Sequence, residues 1–435
     1  MFRKIKLKNG ITLMGFALFC IAIMFEELFN VSTYGGVKYI IWILSMLFIF
    51  FGGCIKSNGL LFLNRKILTY LFLWIIFIGI YLILYNQGIF KYSFYTTLRW
   101  LFYFSFMLLL PLIEKNLYLQ MLNILKWISE IYVAGVYFFM FFPEKYKIMY
   151  TLWGYWPSGT NNGKLGFHAG FANHYSENAM FITVALFVVV AKYMLSTNRL
   201  KKKGLLVEIF IVAFALMSTT KRAHILFGVL AVICSYYLFK PEKRITRSFK
   251  ITIAAIVGLV GLYVLSFSVP EINAIFERFS NIGEDEESNT RFLMWALALK
   301  NFKNNPIFGI GWNGYKYLFN RYLYNPSVRA ERYAYLNAHN VYLQLLCETG
   351  ILGFSLFMTN AVNMFIKSVG MLKANIRENF STEVKMGLFF ILTMQIFFWL
   401  YSMTGNCLYD VMFAFYAISI GFLLGYLTQK NRGEQ

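Results

Sequence analysis

Long apolar stretches recur along the whole chain and are separated by polar connections, most of them short. A helix needs about 20 apolar residues to cross a hydrocarbon core of about 30 Å, and about twelve stretches approach that length. The pattern predicts an all-α polytopic membrane protein. The predicted spans cover residues 11–29, 36–55, 66–85, 93–113, 122–142, 176–195, 205–219, 223–239, 249–269, 341–366, 384–403 and 408–428.

Two segments are too long to be simple connections, namely residues 143–175 and the larger segment 270–340. We therefore expect three parts. Residues 1–269 hold spans one to nine with an external loop at 143–175, residues 270–340 form one large extracytoplasmic loop, and residues 341–435 hold spans ten to twelve. Function is expected in the external loops, because loops on a rigid scaffold commonly carry binding and catalytic residues.

The first external loop is rich in glycine, asparagine and aromatic residues, among them Trp153, Tyr155 and Trp156. This composition suits either an interfacial aromatic belt or a surface on which sugars stack.

An amphipathic helix is predicted in the larger loop over residues 290–303, with Thr290 as its N-cap and Pro306 beyond its end. We expect this helix to lie on the membrane and to pack through its apolar stripe. The stripe consists of Phe292, Trp295, Ala296, Leu299 and Phe302.

Composition agrees with a membrane protein, since 59% of the 435 residues are hydrophobic and only 14% are charged. The net charge of +21 does not indicate nucleic acid as a partner, because the basic residues stand in short loops and not on one contiguous face. The five cysteines are scattered and show no metal-ligand spacing. We expect no metal and no other cofactor.

Lysine and arginine are concentrated in alternate connections, as the positive-inside rule requires. Residues 192–203 and 240–250 are strongly basic, whereas the turns at 30–35 and 402–407 contain no Lys or Arg. Both termini are therefore expected to be cytoplasmic.

A few charges within or beside the predicted spans need a partner or a role. Lys126 and Glu130 are four residues apart on one helix and are expected to neutralise each other. Arg99 either extends to the external surface or faces a ligand. Lys221 and Arg222 lie in an external turn, where they bind either an anionic substrate or lipid headgroups.

Two motifs follow in the external region. GIGWNGY at residues 309–315 includes Gly309 and Gly311, which permit tight turns and close approach to a ligand. NAHNVYLQLLCETGILG at residues 337–353 places His339 at the external mouth of the tenth span, where an imidazole titrates near neutral pH. With arginines in the same compartment, we interpret His339 as a functional residue.

The spacing of the second motif resembles a known family. His339 and Asn340, nine residues, Gly350, two residues and Gly353 follow the H-N-x9-G-x-x-G pattern of the O-antigen ligase and O-antigen polymerase superfamily. The sequence of residues 291–315 is similar to the Arg- and Trp-containing helix of that family and its following glycine turn.

The resemblance implies a membrane glycosyltransferase of GT-C-like architecture in the bacterial plasma (inner) membrane. Arg222, which with Leu226 resembles the R-x-x-x-L element of the family, and Arg291 would bind the diphosphate of a polyprenyl-linked glycan donor. His339 would be the base that deprotonates the acceptor hydroxyl. Asn340 would orient the acceptor or the imidazole ring.

Lys221, Arg99, Gly309 and Gly311 complete the expected substrate-binding set. The acidic run at residues 284–287 is read as a solvated loop, with a metal site as the alternative.

The leading functional hypothesis is a polymerase that joins lipid-linked repeat units into surface polysaccharide without a metal. The alternative is a ligase that passes finished glycan to a lipid, wall or protein acceptor, and a small-anion transporter is a third. Expected partners are the lipid-linked donor and acceptor and membrane lipid, with a flippase and a chain-length regulator as further candidates.

Overall fold

A computed structural model of the protein describes residues 2–25, 37–54, 90–146, 168–172, 174–239, 286–316 and 337–431, and eight residues between 263 and 277. Every long element within these residues is a helix, in agreement with the predicted all-α class. In chain order they are α1 (Phe2–Met24), α2 (Val37–Cys54), α3 (Phe90–Leu109), α4 (Tyr118–Phe141), α5 (Tyr175–Leu195), α6 (Arg199–Ser218), α7 (Arg222–Phe239), α8 (Glu286–Asn304), α9 (Val341–Glu378), α10 (Thr382–Tyr401) and α11 (Met412–Asn431).

Five of the described helices are long and apolar enough to cross a membrane: α4 with the turn before it, α5, α7, α9 and α10. Shorter apolar stretches lie in α1, α2, α3 and α11. The predicted span at 205–219 forms part of α6, which does not reach the same hydropathy because its first half is basic. The predicted span at 66–85 and most of that at 249–269 lie outside the described residues, so the total of twelve remains a prediction.

The centre of the protein is formed by α10, which packs against α5, α7, α9 and α11. Buried side chains occur on every side of α10 and of α5, including Phe389, Phe390 and Ile391 in α10. A helix that is apolar all round is one that is surrounded by other helices or lipid. The remaining helices pack around this centre, with α1 and α2 forming a close pair beside α3 and α4.

One lysine inside the helical bundle is paired with two carboxylates. Lys126 on α4 forms an ion pair with Glu130 at 3.1 Å, as predicted, and a second ion pair with Glu208 on α6. The second partner was not predicted, because sequence spacing detects pairs only within one helix. The three charges link α4 to α6.

The long helix α9 is interrupted at Gly350, where φ is +61° and ψ is −171°. The interruption removes the usual helical partners of nearby backbone groups, which then need others. The carbonyl of Cys347 accepts the N–H of Ile310 at 3.0 Å, and the carbonyl of Glu348 accepts the N–H of Gly311 at 2.9 Å. The loop after α8 is thus hydrogen-bonded into the break in α9.

This contact explains two glycines of the motifs. A Cβ atom on Gly350 would lie 2.2 Å from the carbonyl oxygen of Ile307, and one on Gly309 would lie 2.4 Å from the carbonyl carbon of Glu348. Both glycines also have positive φ. The backbone segments approach more closely than any side chain allows.

Helix α8 begins four residues before Thr290, so the prediction that Thr290 is the N-cap is wrong. The predicted stripe is also displaced around the helix. Phe292 is 63% exposed and Leu299 is 41% exposed, while Met294 and Ala298 are buried. The reason is that α9 and the loop before it contact the face of α8 that carries Met294 and Ala298, where Trp295 is the one member of the predicted stripe that also packs.

We predict that Gly350→Ala lowers the free energy of unfolding by at least about 1–2 kcal/mol, the cost of left-handed backbone for a residue with a Cβ. Gly370→Ala is the matched control, because it lies in the same helix and its added Cβ meets nothing within 4 Å. Thermal unfolding of the purified protein in detergent, followed by tryptophan fluorescence, compares the two. Equal midpoints would contradict the helix break at Gly350.

Candidate functional site

His339 lies in the short connection before α9 and has a φ of +50°. Hydrogen bonds hold both backbone groups of its neighbour Ala338. The indole Nε1 of Trp295 on α8 donates to the Ala338 carbonyl at 2.9 Å, and the Ala338 N–H donates to Gln344 Oε1 at 2.8 Å. The two bonds fix the backbone that carries the imidazole.

Asn406 contacts His339 from the loop between α10 and α11, residues 402–411. The backbone N–H of His339 donates to Asn406 Oδ1 at 3.0 Å, and Asn406 Nδ2 lies 3.3 Å from the ring Nδ1. Asn340, which was expected to orient the ring or the acceptor, is the N-cap of α9, and its Oδ1 accepts the N–H of Leu343 at 3.1 Å. The ring contact comes from Asn406.

Beneath this connection, the fully buried carboxyl of Glu348 joins three chain segments. One oxygen accepts from Gln344 Nε2 at 3.0 Å and from the N–H of Tyr315 at 3.3 Å. The other oxygen accepts from the hydroxyl of Tyr409 at 2.7 Å. The carboxyl thus connects α9 with the glycine motif and with the 402–411 loop.

Aromatic rings hold the 402–411 loop from a further side. Trp312 stacks on Tyr409 with ring centroids 5.3 Å apart, and Trp100 on α3 meets Trp312 edge to face at 4.5 Å. The indole Nε1 of Trp100 also donates to the carbonyl of Leu408 at 2.8 Å. These contacts place Asn406 and the residues after it in one arrangement.

Arg99, Lys221 and Lys316 lie near enough to the carboxyl of Asp410, in the same loop, for their charges to affect its pKa. Burial raises its pKa from 3.8 to about 6, while the N–H of Met412 and the positive charges of Arg99, Lys221 and Lys316 lower it. The Met412 N–H donates to its Oδ1 at 2.9 Å. When Asp410 is ionised, its negative charge offsets one of these three positive charges.

Lys316 was not predicted as a site residue, although it follows the GIGWNGY motif directly. Burial, and secondarily the charge of Arg99, lowers its pKa. The other predicted arginines lie on different helices. Arg291 lies on α8, one turn before Trp295, and Arg222 begins α7 directly after Lys221.

The structure therefore brings Arg99 and Lys221 to Asp410, and His339 to Asn406 in the same loop. Gly309 and Gly311 lie instead in the contact with the break in α9. Asn406, Asp410 and Lys316 were missed. Asp410 gave a usable signal, as an acidic residue at the start of an apolar span, whereas Asn406 gave none.

Several predicted features lie outside the described residues: Trp153, Tyr155 and Trp156 of the first external loop, and Glu284 and Asp285 of the acidic run. Within the described parts of the chain, no three His, Cys, Asp or Glu side chains are grouped as metal ligands would be.

Comparison with known proteins identifies the central segment. Residues 207–358 match the family model described as O-antigen ligase. The predicted resemblance to the O-antigen ligase superfamily is confirmed. The matched segment contains Lys221, Arg222, Arg291 and His339, whereas Arg99 and the 402–411 loop lie outside it.

A relative from Acinetobacter baylyi, described as a ComP-specific O-oligosaccharyltransferase, is 24% identical over 311 residues. The alignment covers 70% of this chain and 51% of the relative, so the chain matches about half of the relative's length. The family and the relative agree with the predicted class of membrane-bound glycan transferases in polysaccharide biosynthesis.

We predict that Tyr409→Phe lowers the free energy of unfolding by about 1–3 kcal/mol, because the Glu348 carboxyl loses a buried hydrogen-bond partner. Tyr263→Phe is the control, since Tyr263 is 56% exposed. Chemical or thermal unfolding in detergent measures both. A Tyr409→Phe protein as stable as the Tyr263→Phe protein would show that the bond does not stabilise the fold.

We predict that Asp410→Asn binds a dialkyl diphosphate roughly five- to tenfold more tightly at pH 8, because a negative charge among three cations is removed. The wild-type affinity should rise as pH falls through about 6, where Asp410 becomes protonated, and Asp410→Asn should lack that component. Calorimetry in detergent measures the affinity, with Glu383→Gln as an exposed control. No gain in affinity at pH 8 would count against an anion site here.

Proposed function

We propose that the protein transfers a glycan from a polyprenyl diphosphate carrier to an acceptor hydroxyl, in the manner of an O-antigen ligase, on the outer face of the bacterial plasma membrane. One observation supports the proposal above all. The charges of three cations act on Asp410, and the imidazole of His339 contacts Asn406, in the same loop, residues 402–411. The first suits a diphosphate, and the second suits an oxygen at the reacting centre.

Ligase-type transfer is favoured over the polymerase reading. The family description names O-antigen ligase, and the relative's name describes transfer of an oligosaccharide. The polymerase hypothesis has no specific support in these comparisons. Both reactions share the donor chemistry, so the acceptor distinguishes them.

The reaction places definite demands on the site. The acceptor oxygen forms a bond to the anomeric carbon of the glycan while the bond from that carbon to the diphosphate oxygen breaks. The electron pair of the broken bond stays on the diphosphate, whose negative charge grows, and the hydroxyl proton passes to water. Groups that stabilise the growing charge accelerate such a step.

The cations can meet this demand. Arg222 and Arg291 are the proposed catalytic residues for the diphosphate, because guanidinium groups offer paired donors to phosphate oxygens. Arg99, Lys221 and Lys316 add positive charge, and Asp410 offsets part of that charge when the donor is absent. His339 is the third proposed catalytic residue, and its imidazole contacts an oxygen atom of the reacting groups.

The setting of the reaction is also part of the proposal. The apolar helices agree with a membrane protein. The proposal further includes that this membrane is the plasma membrane, that both termini are cytoplasmic and that the reaction needs no metal. The proposed partners are membrane lipid, a flippase that supplies the donor, and a regulator of chain length.

In a deletion strain, we predict that His339→Ala, Arg222→Ala and Arg291→Ala each reduce transferred glycan by about 10²-fold or more relative to the wild-type gene, because each removes a group that contacts the reacting centre. Long glycans should accumulate on the lipid carrier. Arg199→Ala, an exposed arginine at the start of α6, is the control. Gel analysis of cell glycans, with membrane levels of each variant measured, gives the result.

Two other outcomes would overturn the proposal. Accumulation of single repeat units on the carrier would identify a polymerase instead. Unchanged glycans in all three variants would exclude both transfer reactions and favour an anion transporter.

A further inference from the structure

Asn406 contacts His339 through both ends of its side-chain amide. The Oδ1 atom accepts the backbone N–H of His339 at 3.0 Å, and Nδ2 lies 3.3 Å from the ring Nδ1. A backbone N–H is only a donor, so the atom facing it must be the amide oxygen. The amide nitrogen therefore faces the ring.

The orientation of the amide determines the tautomer of the imidazole. An amide nitrogen donates hydrogen bonds and accepts none, so Nδ1 of His339 must be the acceptor in this contact. In a neutral imidazole the other nitrogen then carries the hydrogen. We infer that Asn406 is a positioning residue that holds neutral His339 as its Nε2–H tautomer, so that the ring presents a donor at Nε2.

The surroundings of Asn406 support a fixed orientation. Its carbonyl accepts the N–H of Tyr409 at 2.7 Å, which closes a turn, and the Tyr409 hydroxyl is bonded to the buried Glu348 carboxyl. The N–H of Val341 donates to the carbonyl of Ser402 at 2.9 Å, which joins the start of α9 to the same loop. The backbone segments that carry Asn406 and His339 are thus hydrogen-bonded to each other.

This arrangement is the reverse of the one that makes histidine a base in serine hydrolases. There a carboxylate accepts the Nδ1–H, and the bare Nε2 takes a proton. Here Nε2–H is a donor, suited to an oxygen on which negative charge grows, such as the departing diphosphate oxygen. This role rests on the proposed glycan transfer and replaces the predicted role of His339 as base, whereas the tautomer itself does not depend on the reaction.

Solid-state NMR of the full-length protein in lipid bilayers tests the tautomer directly. The chain contains four histidines, so ¹⁵N-histidine labelling gives few signals. Subtracting the spectrum of His339→Gln identifies the signals of His339. At a pH where the ring is neutral, we expect a bare Nδ1 and a protonated Nε2. A protonated Nδ1 in the wild-type protein would overturn the inference.

The variant Asn406→Asp is expected to reverse the tautomer. Its carboxylate still accepts the backbone N–H of His339, but it also accepts from Nδ1–H and leaves Nε2 bare. We expect kcat for glycan transfer to fall about 10²-fold at alkaline pH with little change in KM. Activity should recover as pH falls through the imidazole pKa, because an imidazolium donates from both nitrogens.

Asn198→Asp is the matched control, since Asn198 is an exposed N-cap of α6 and aspartate caps equally well. An Asn406→Asp enzyme as active as the wild type at alkaline pH, or more active, would show that His339 works as a base. A wild-type protein without transfer activity would defeat the proposed function alone, because the NMR result for the ring would still stand.

Discussion

The buried carboxyl of Glu348 is the interaction on which the candidate site depends. It accepts hydrogen bonds from Gln344, from the N–H of Tyr315 and from the hydroxyl of Tyr409, and these come from three different parts of the chain. A buried carboxyl is stable only when such donors surround it. The chain satisfies Glu348 by bringing the glycine motif and the 402–411 loop to α9, and the loop carries Asn406, which contacts His339, and Asp410.

The break in α9 at Gly350 and the positions of the charged residues near Asp410 belong to the same arrangement of segments around Glu348. Gly350 frees two carbonyls that bind the backbone of residues 310–311, and this contact places the N–H of Tyr315 against Glu348. Lys316 follows directly, and its charge acts on Asp410. Cations held close together repel one another, and Asp410 reduces that repulsion when no ligand is bound. An anionic substrate would meet a site that is already assembled and retains net positive charge.

Much of the fold could be predicted from the sequence, because apolar runs of membrane length dominate it. Nine of the predicted spans coincide with apolar helices or apolar stretches in the described residues. The interruption in α9 was not predicted, since a glycine inside a long, mostly apolar helix does not by itself indicate a break, and only the docking of the loop at 305–311 reveals it. Helix α8 begins at Glu286, four residues before the predicted cap, because helix ends are less well determined by sequence than the helix itself.

Arg99 and Lys221 could be selected as candidates because their charges stand out beside apolar spans, and Arg291 and His339 because they belong to the two motifs. Residues 402–407 were interpreted only as an external turn without Lys or Arg, and residues 408–411 as the start of the last span. The contribution of the 402–411 loop comes from an amide and a carboxyl that meet residues distant in sequence, as Asn406 meets His339. The spacing of residues in the sequence does not indicate contacts of this kind.

Transfer by the purified protein in liposomes is the most direct measurement of the central claim. The assay supplies a radiolabelled glycan on polyprenyl diphosphate with a set of candidate acceptors, and it follows both the free lipid diphosphate and the glycan. We predict release of lipid diphosphate together with attachment of the glycan to an acceptor, and loss of both products in Arg291→Ala. Equal release by the wild-type and Arg291→Ala proteins, or none by the wild type with any acceptor, would contradict a glycan transferase built on this site.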